Sequence, residues 1–107
     1  RLETIVYLEL LRRKAGTEND IYYYQGRSAE ADFVVCDGNK AVAVYQVSYD
    51  ISNEKTRKRE IKGCIAGAKA TKCDNLFLIT DHESETIEES GYTIQVIPIW
   101  EWLTKDT

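Results

Sequence analysis

Residues 31–48 read ADFVVCDGNKAVAVYQVS, and this stretch decides the fold. Two runs rich in β-branched residues, 31–36 and 41–48, flank Asp37-Gly38-Asn39. Asp-Gly between apolar runs is strong hairpin chemistry, because glycine accepts the positive φ of the tight turns that match strand twist. Side chains alternate faces along a strand, so Asp32, Val34 and Cys36 share one side, and Val42, Val44, Gln46 and Ser48 share one side of the partner. An odd loop such as Gly38-Asn39-Lys40 pairs Asp37 with Ala41 and sets Val34 opposite Val44 and Asp32 opposite Gln46. An even loop opposes Asp32 to Tyr45 instead, and the sequence leaves both registers open.

Working outward, residues 2–13, LETIVYLELLRR, carry apolar residues almost all round a helical wheel and end in Arg12 and Arg13, which suit a helix C-terminus. The expectation is a helix buried on most sides and stopped by Gly16. Residues 21–24 form a short aromatic and β-branched run, hence a strand, and 25–30 a polar loop. Past the hairpin, a helix starts at Asn53 or Thr56 and runs to about residue 72, with Ile61, Cys64, Ile65 and Ala68 at i, i+3, i+4 and i+7. Residues 76–79 are continuously apolar, as in a strand covered on both faces. An acidic stretch with Asp81, Glu83, Glu85, Glu88 and Glu89 is read as a loop. Residues 92–97 then form a strand ended by Pro98, and 100–105 a short helix.

The first three strands have short connections and should form an antiparallel meander. The step from Ser48 through the long helix to Leu76 is long enough for a right-handed parallel crossover. The result is one α/β domain over residues 1–107, a mixed sheet flanked by helices in the order αβββαββα.

Composition agrees. The 107 residues are 43% hydrophobic and 30% charged, ordinary for a soluble globular domain. No apolar run approaches the roughly 20 residues of a membrane span, and no leader pattern is visible. The net charge of -4 argues against a general nucleic-acid coat. Its distribution reopens the question, since half of the 14 Lys and Arg fall between Lys55 and Lys72. Three Cys without paired spacing and 1 His indicate neither a disulfide framework nor a structural zinc site, and a reducing, cytoplasmic setting is expected. The chain has no Met, so it is read as a piece of a longer one.

Candidate chemistry begins in the hairpin. In the odd register the Asp32 carboxylate and the Gln46 amide carbonyl converge, the kind of oxygen pair that holds Mg²⁺ with waters. The plainer account makes Asp32 a polar residue at a strand start. Glu3 offers a third oxygen, or simply complements a helix N-terminus. Glu9 falls between Ile5, Val6 and Leu2 on the wheel, so it is structural and needs an Arg partner, expected from the second helix.

The ordered set Leu2-Glu3-Thr4-Ile5-Val6, Glu30-Ala31-Asp32-Phe33-Val34-Val35 and Tyr45-Gln46-Val47-Ser48 resembles the PD-(D/E)xK restriction-endonuclease-like superfamily. One branch is closer: the C-terminal domain of unknown function of prokaryotic AAA-type ATPases. Gln46-Val47-Ser48-Tyr49-Asp50-Ile51, Glu54-Lys55-Thr56-Arg57-Lys58-Arg59-Glu60 and Val96-Ile97-Pro98-Ile99-Trp100 are similar to it. The resemblance implies Glu3, Asp32 and Gln46 as Mg²⁺ ligands, Asp32, Gln46 and Ser48 as the catalytic positions, and an ATPase module upstream as partner. It also implies impaired cleavage. Active members carry Lys where this chain has Ser48, and a hydroxyl cannot supply the positive charge that stabilises charge developing on phosphate. The neutral Gln46 further weakens a metal site. Lys55, Arg57 or Arg59 are the candidates for a migrated cation.

The basic helix is otherwise a solvated face (Lys55, Lys58, Arg59, Lys62), or it joins Arg27 in contacting DNA phosphates. Arg57, four residues before Ile61, extends toward the sheet end and is a fair partner for Glu9 or Glu60. His82, alone in an acidic stretch, reads as a surface residue. The tyrosines at 22–24 could stack on bases, though strand packing explains them more simply. Trp100 and Trp102 seal the core or dock another module. ATP binding is not expected in this fragment, which has no GxxxxGK loop. The function these residues point to is an accessory, non-cleaving nuclease-fold domain in nucleic-acid binding or module interaction. An active Mg²⁺-dependent nuclease and a purely structural interaction module are the alternatives.

Overall fold

Asp37 pairs with Lys40, so the hairpin turn holds only Gly38 and Asn39, with Gly38 at φ +63°. That is an even loop, yet Asp32 still faces Gln46, Phe33 faces Tyr45 and Val34 faces Val44. The pairing slips by one residue between Cys36, which faces Ala41, and Val35, which faces Ala43. Val42 is therefore the extra residue of a β-bulge, and the bulge flips the faces back. Ala41 packs against one core cluster and Ala43 sits in the other, although alternation alone would put them on one side. The register expected from an odd loop is present; its cause is the bulge, at which Val42 has no partner in the ladder.

The computed structural model describes residues 1–25 and 31–105. Helix α1 (Leu2–Lys14) leads to strands β1 (Asn19–Gln25), β2 (Ala31–Asp37) and β3 (Lys40–Val47), then helix α2 (Glu54–Thr71). Strands β4 (Leu76–Thr80), β5 (Glu85–Glu89) and β6 (Tyr92–Pro98) follow, and helix α3 (Ile99–Thr104) closes the order. They make one six-stranded mixed sheet, β1-β2-β3-β4-β6-β5, with β3, β4 and β6 parallel. The α/β class and the helix-flanked mixed sheet are as expected. The acidic stretch contributes one strand more than anticipated. Strand β5 pairs antiparallel with β6 across Ser90 (φ 53°) and Gly91 (φ 82°), the two positive-φ positions of a primed hairpin turn. It is an edge strand, so its Glu side chains need no burial.

Period-two alternation splits the core. On one face Val44, Leu76, Leu78, Ile94 and Val96 pack under Cys64, Ile65 and Ala68 of α2. On the other, Phe33, Ala43, Tyr45, Val47 and Ile79 pack under Val6 and Leu10 of α1 and Trp102 of α3. Trp102 thus seals the core, whereas Trp100 is exposed.

Helix α2 starts at Asn53, whose side chain accepts from the backbone N–H of Lys55 and Thr56. It ends at Lys72, in the left-handed conformation at φ 55°. Helix α1 corrects the expectation of burial on most sides. It presents a narrow stripe of Val6, Glu9 and Leu10 inward, while Ile5, Tyr7 and Leu8 are exposed. A helix lying on a sheet through one face has no second layer to bury its back.

Glu9 is buried, as a structural carboxylate, but its partners belong to its own helix. Arg12 donates to it at 2.9 and 2.6 Å and Arg13 at 2.7 Å. Hydrogen bonds from Arg12, helped by those from Arg13, hold its pKa down to about 2 against the desolvating effect of burial. Arg13 also covers the Trp102 ring at 4.4 Å and donates to the Trp102 carbonyl at 2.5 Å, tying α1 to α3.

Candidate functional site

Parallel strands β3 and β4 end together, and the chain leaves β3 to enter α2. The carboxyl ends of parallel strands are the usual place for a ligand crevice in such sheets. Here a cleft of about 430 Å³ opens there, lined by Arg1 and the first α1 residues Leu2 and Glu3, by Val47 at the end of β3 and 48–50 beyond it, and by Thr56 and Arg59 of α2. Its rim is pinned. The Ile51 N–H donates to Glu83 at 2.7 Å, and the Thr80 hydroxyl exchanges hydrogen bonds with the Glu83 backbone. Asp50 accepts from the Ser52 N–H, and hydrogen bonding from Ser52, its side chain first and then its backbone, lowers the Asp50 pKa.

Ser48, buried at the floor, and Glu3 both line this cleft. Gln46, two residues earlier on the same face, lies under α2 instead. Its side-chain N–H₂ donates to the Glu60 backbone carbonyl at 3.1 Å and to the Glu60 carboxylate. Glu60 has no solvent exposure, and Gln46 has 4%. Asp32 stands opposite Gln46 across the ladder, with its Oδ1 buried. Cys64, one turn beyond Glu60, completes the group. Burial, and then the negative charge of Asp32 and Glu60, push its thiol pKa up, which disfavours the nucleophilic thiolate. Arg59 links cleft and interior, lying in the cleft with a nitrogen 3.6 Å from the Glu60 carboxylate.

The helix approaches this closely because position 63 is glycine. A Cβ there would stand 2.9 Å from Gln46 Nε2 and 3.1 Å from its Oε1. Magnesium is held by oxygen ligands and several waters, whereas the Gln46 amide is committed to Glu60 and lies against the helix backbone at Gly63. Among the described residues no three His, Cys, Asp or Glu side chains gather where a metal ion could be held. As arranged, the donor set does not suit a resident Mg²⁺.

Of the basic residues, Lys55 is exposed on α2. Arg57 is engaged with neither Glu9 nor Glu60. It makes a bidentate pair with Glu85 of β5, both bonds 2.7 Å, which raises its own pKa and lowers that of Glu85. Arg27 lies outside the described residues. His82 is exposed, 3.3 Å from Asp81. Glu60 is the residue sequence reasoning undervalued. It sits four before Cys64 in the apolar stripe of α2, and a carboxylate in such a stripe signals a buried polar partner.

Fold and cleft together define a mixed-sheet α/β domain whose sheet end is a ligand-sized crevice over a buried polar pair. The chain belongs to the family described as Domain of unknown function (DUF4143), whose model matches residues 1–102. It is also similar to an uncharacterized protein of Methanocaldococcus jannaschii, 34% identical over 107 residues. That match takes in 94% of this chain and 24% of the archaeal protein, so the chain spans about a quarter of its relative's length. No solved structure matches the chain. Among the described residues no helix is long and apolar enough to cross a membrane.

Proposed function

We propose that the chain is an accessory domain of a longer AAA-type ATPase, similar to restriction-endonuclease-like domains, that grips DNA at the sheet-end cleft without cutting it. The observation that carries this reading is Ser48 on the cleft floor, where the resemblance calls for Lys, with Gln46 turned away to Glu60. Neither group can neutralise charge developing on a phosphate. Binding needs less. Arg59 and Thr56 line the cleft, and Lys55 and Lys58 stand exposed beside it on the first turns of α2. Such groups contact phosphates irrespective of sequence. The fourfold longer archaeal relative supports a module within a larger chain.

The test is incubation of the chain with branched, duplex and single-stranded DNA, with and without Mg²⁺ or Mn²⁺. The expected result is salt-sensitive binding without cleavage, weakened by Lys55→Ala with Lys58→Ala. Metal-dependent cleavage lost in Asp32→Ala would overturn it in favour of a nuclease using Glu3, Asp32 and Gln46. No binding at low salt would favour a protein-interaction module. The exposed Ile5 and Leu8 of α1 and Trp100 and Leu103 of α3 are the observation behind that second reading.

A further inference from the structure

The two edges of the sheet are built differently. Strand β5 has five residues, and Glu85, Glu88 and Glu89 charge it against pairing with another strand. Strand β1, at the opposite edge, has seven, and its central run Ile21-Tyr22-Tyr23-Tyr24 carries no charge and no proline. Among the described residues nothing pairs with its outer side. Tyr22, Tyr23 and Tyr24 are 55%, 56% and 65% exposed. Strand packing therefore does not account for them, although Tyr23 tilts against Phe33 at 5.3 Å and Tyr7 stacks on the same ring at 5.7 Å. A seven-residue edge whose central run is uncharged and carries tyrosines on both faces is a template for strand addition.

We infer that β1 is a dimerisation edge, pairing antiparallel with β1 of a second copy of this chain to join two six-stranded sheets into one. The sequence of the strand is self-complementary. A two-fold centred on Tyr23 sets Tyr22 of each copy against Tyr24 of the other on one face, and Tyr23 against Tyr23 on the other. These are the aromatic cross-strand pairs that stabilise sheets. Charge favours the same arrangement. Asp20 is the strand's one charged residue, and antiparallel pairing holds its two copies roughly 20 Å apart at about 3.4 Å per residue. Parallel pairing in register would set them side by side. With 55–65% of each residue exposed, three tyrosines from each copy, at roughly 150–250 Å² for a fully covered aromatic ring, offer roughly 500–900 Å² for burial, the size of a weak, concentration-dependent interface.

Sedimentation equilibrium of the chain tests this. The expected mass rises from 12.3 kDa toward twice that value as concentration climbs through the micromolar range typical of small interfaces. The Tyr22→Lys/Tyr24→Lys variant should stay monomeric at every concentration, with an unchanged circular dichroism spectrum. Its equimolar mixture with Tyr22→Glu/Tyr24→Glu should dimerise again, because the Tyr23-centred register sets Lys against Glu. A wild-type chain monomeric throughout, or a dimer that survives the lysine pair, would overturn the inference. A mixture no more associated than its parts would overturn the antiparallel register.

Discussion

Gln46 of β3 donates both to the backbone carbonyl and to the carboxylate of Glu60 on α2, and both residues are buried. The bond joins the middle of the sheet to the helix that roofs it, beside the buried Oδ1 of Asp32. Removing the amide while keeping the volume, as in Gln46→Leu, takes a donor from a buried carboxylate. The expected cost is about 2–4 kcal/mol in urea unfolding. A loss below about 0.5 kcal/mol would show the pair to be dispensable.

Gln46→Glu tests the same contact by charge. Two carboxylates in one buried site cannot both ionise, so one holds its proton in the folded state above its ordinary range. Stability from such a raised group is present at low pH and lost as pH rises. Relative to wild type, the variant should be weakest at pH 8 and regain stability toward pH 5 in thermal melts.

Two glycines of α2 should respond in opposite directions. Gly63→Ala forces a methyl group against the anchored Gln46 amide, at 2.9 Å from Nε2. It should destabilise by about 1–3 kcal/mol despite alanine's better helix propensity. At Gly67 the nearest atom to an added Cβ is Val44 Cγ1 at 3.5 Å, an ordinary contact. Gly67→Ala should therefore stabilise by roughly 0.5–1 kcal/mol, read in the same denaturation series.

Glu9 gives the acid limb of the stability profile. Its folded pKa near 2 lies below the ordinary 4.5, so its contribution is complete above about pH 5 and disappears as pH falls toward 2. Arg12 is 62% exposed, which reduces the value of that pairing to on the order of 2 kcal/mol. Glu9→Gln should lower stability at pH 7 by about that amount and converge with wild type near pH 2.

Arg57 and Glu85 fasten the edge strand β5 to α2 with two bonds of 2.7 Å. Both are partly exposed, so a double-mutant cycle should return about 0.5–1 kcal/mol, less in high salt. A coupling near zero would make the pair incidental.

Much of this fold could be read from residue patterns, and the misses have physical causes. The Ile61, Cys64, Ile65 and Ala68 stripe marks α2, and of its two candidate starts, Asn53 and Thr56, Asn53 is the cap, because both signals are local. The bulge at Val42 was invisible, since it depends on how two strands settle against each other rather than on either alone. Strand β5 hid behind its glutamates, whose poor strand propensity is harmless at a solvent edge; the Ser90-Gly91 turn was its one audible signal. At the site, alternation offers the opposition of Asp32 and Gln46 as one of two registers, and the bulge at Val42 selects it. The destination of the Gln46 amide was not, because that depends on Gly63 letting the helix descend onto it.

The extra residue at Val42 has a consequence for the hairpin as a designed object. A two-residue turn contributes one half-step of phase and the bulge contributes the other, so their errors cancel before the strands reach Val35 and Ala43. Lengthening the turn by one residue while deleting Val42 would deliver the same faces to the sheet from Val35 to Asp32. The hairpin tip is thus free to vary in shape, and only the sum of tip and bulge is constrained.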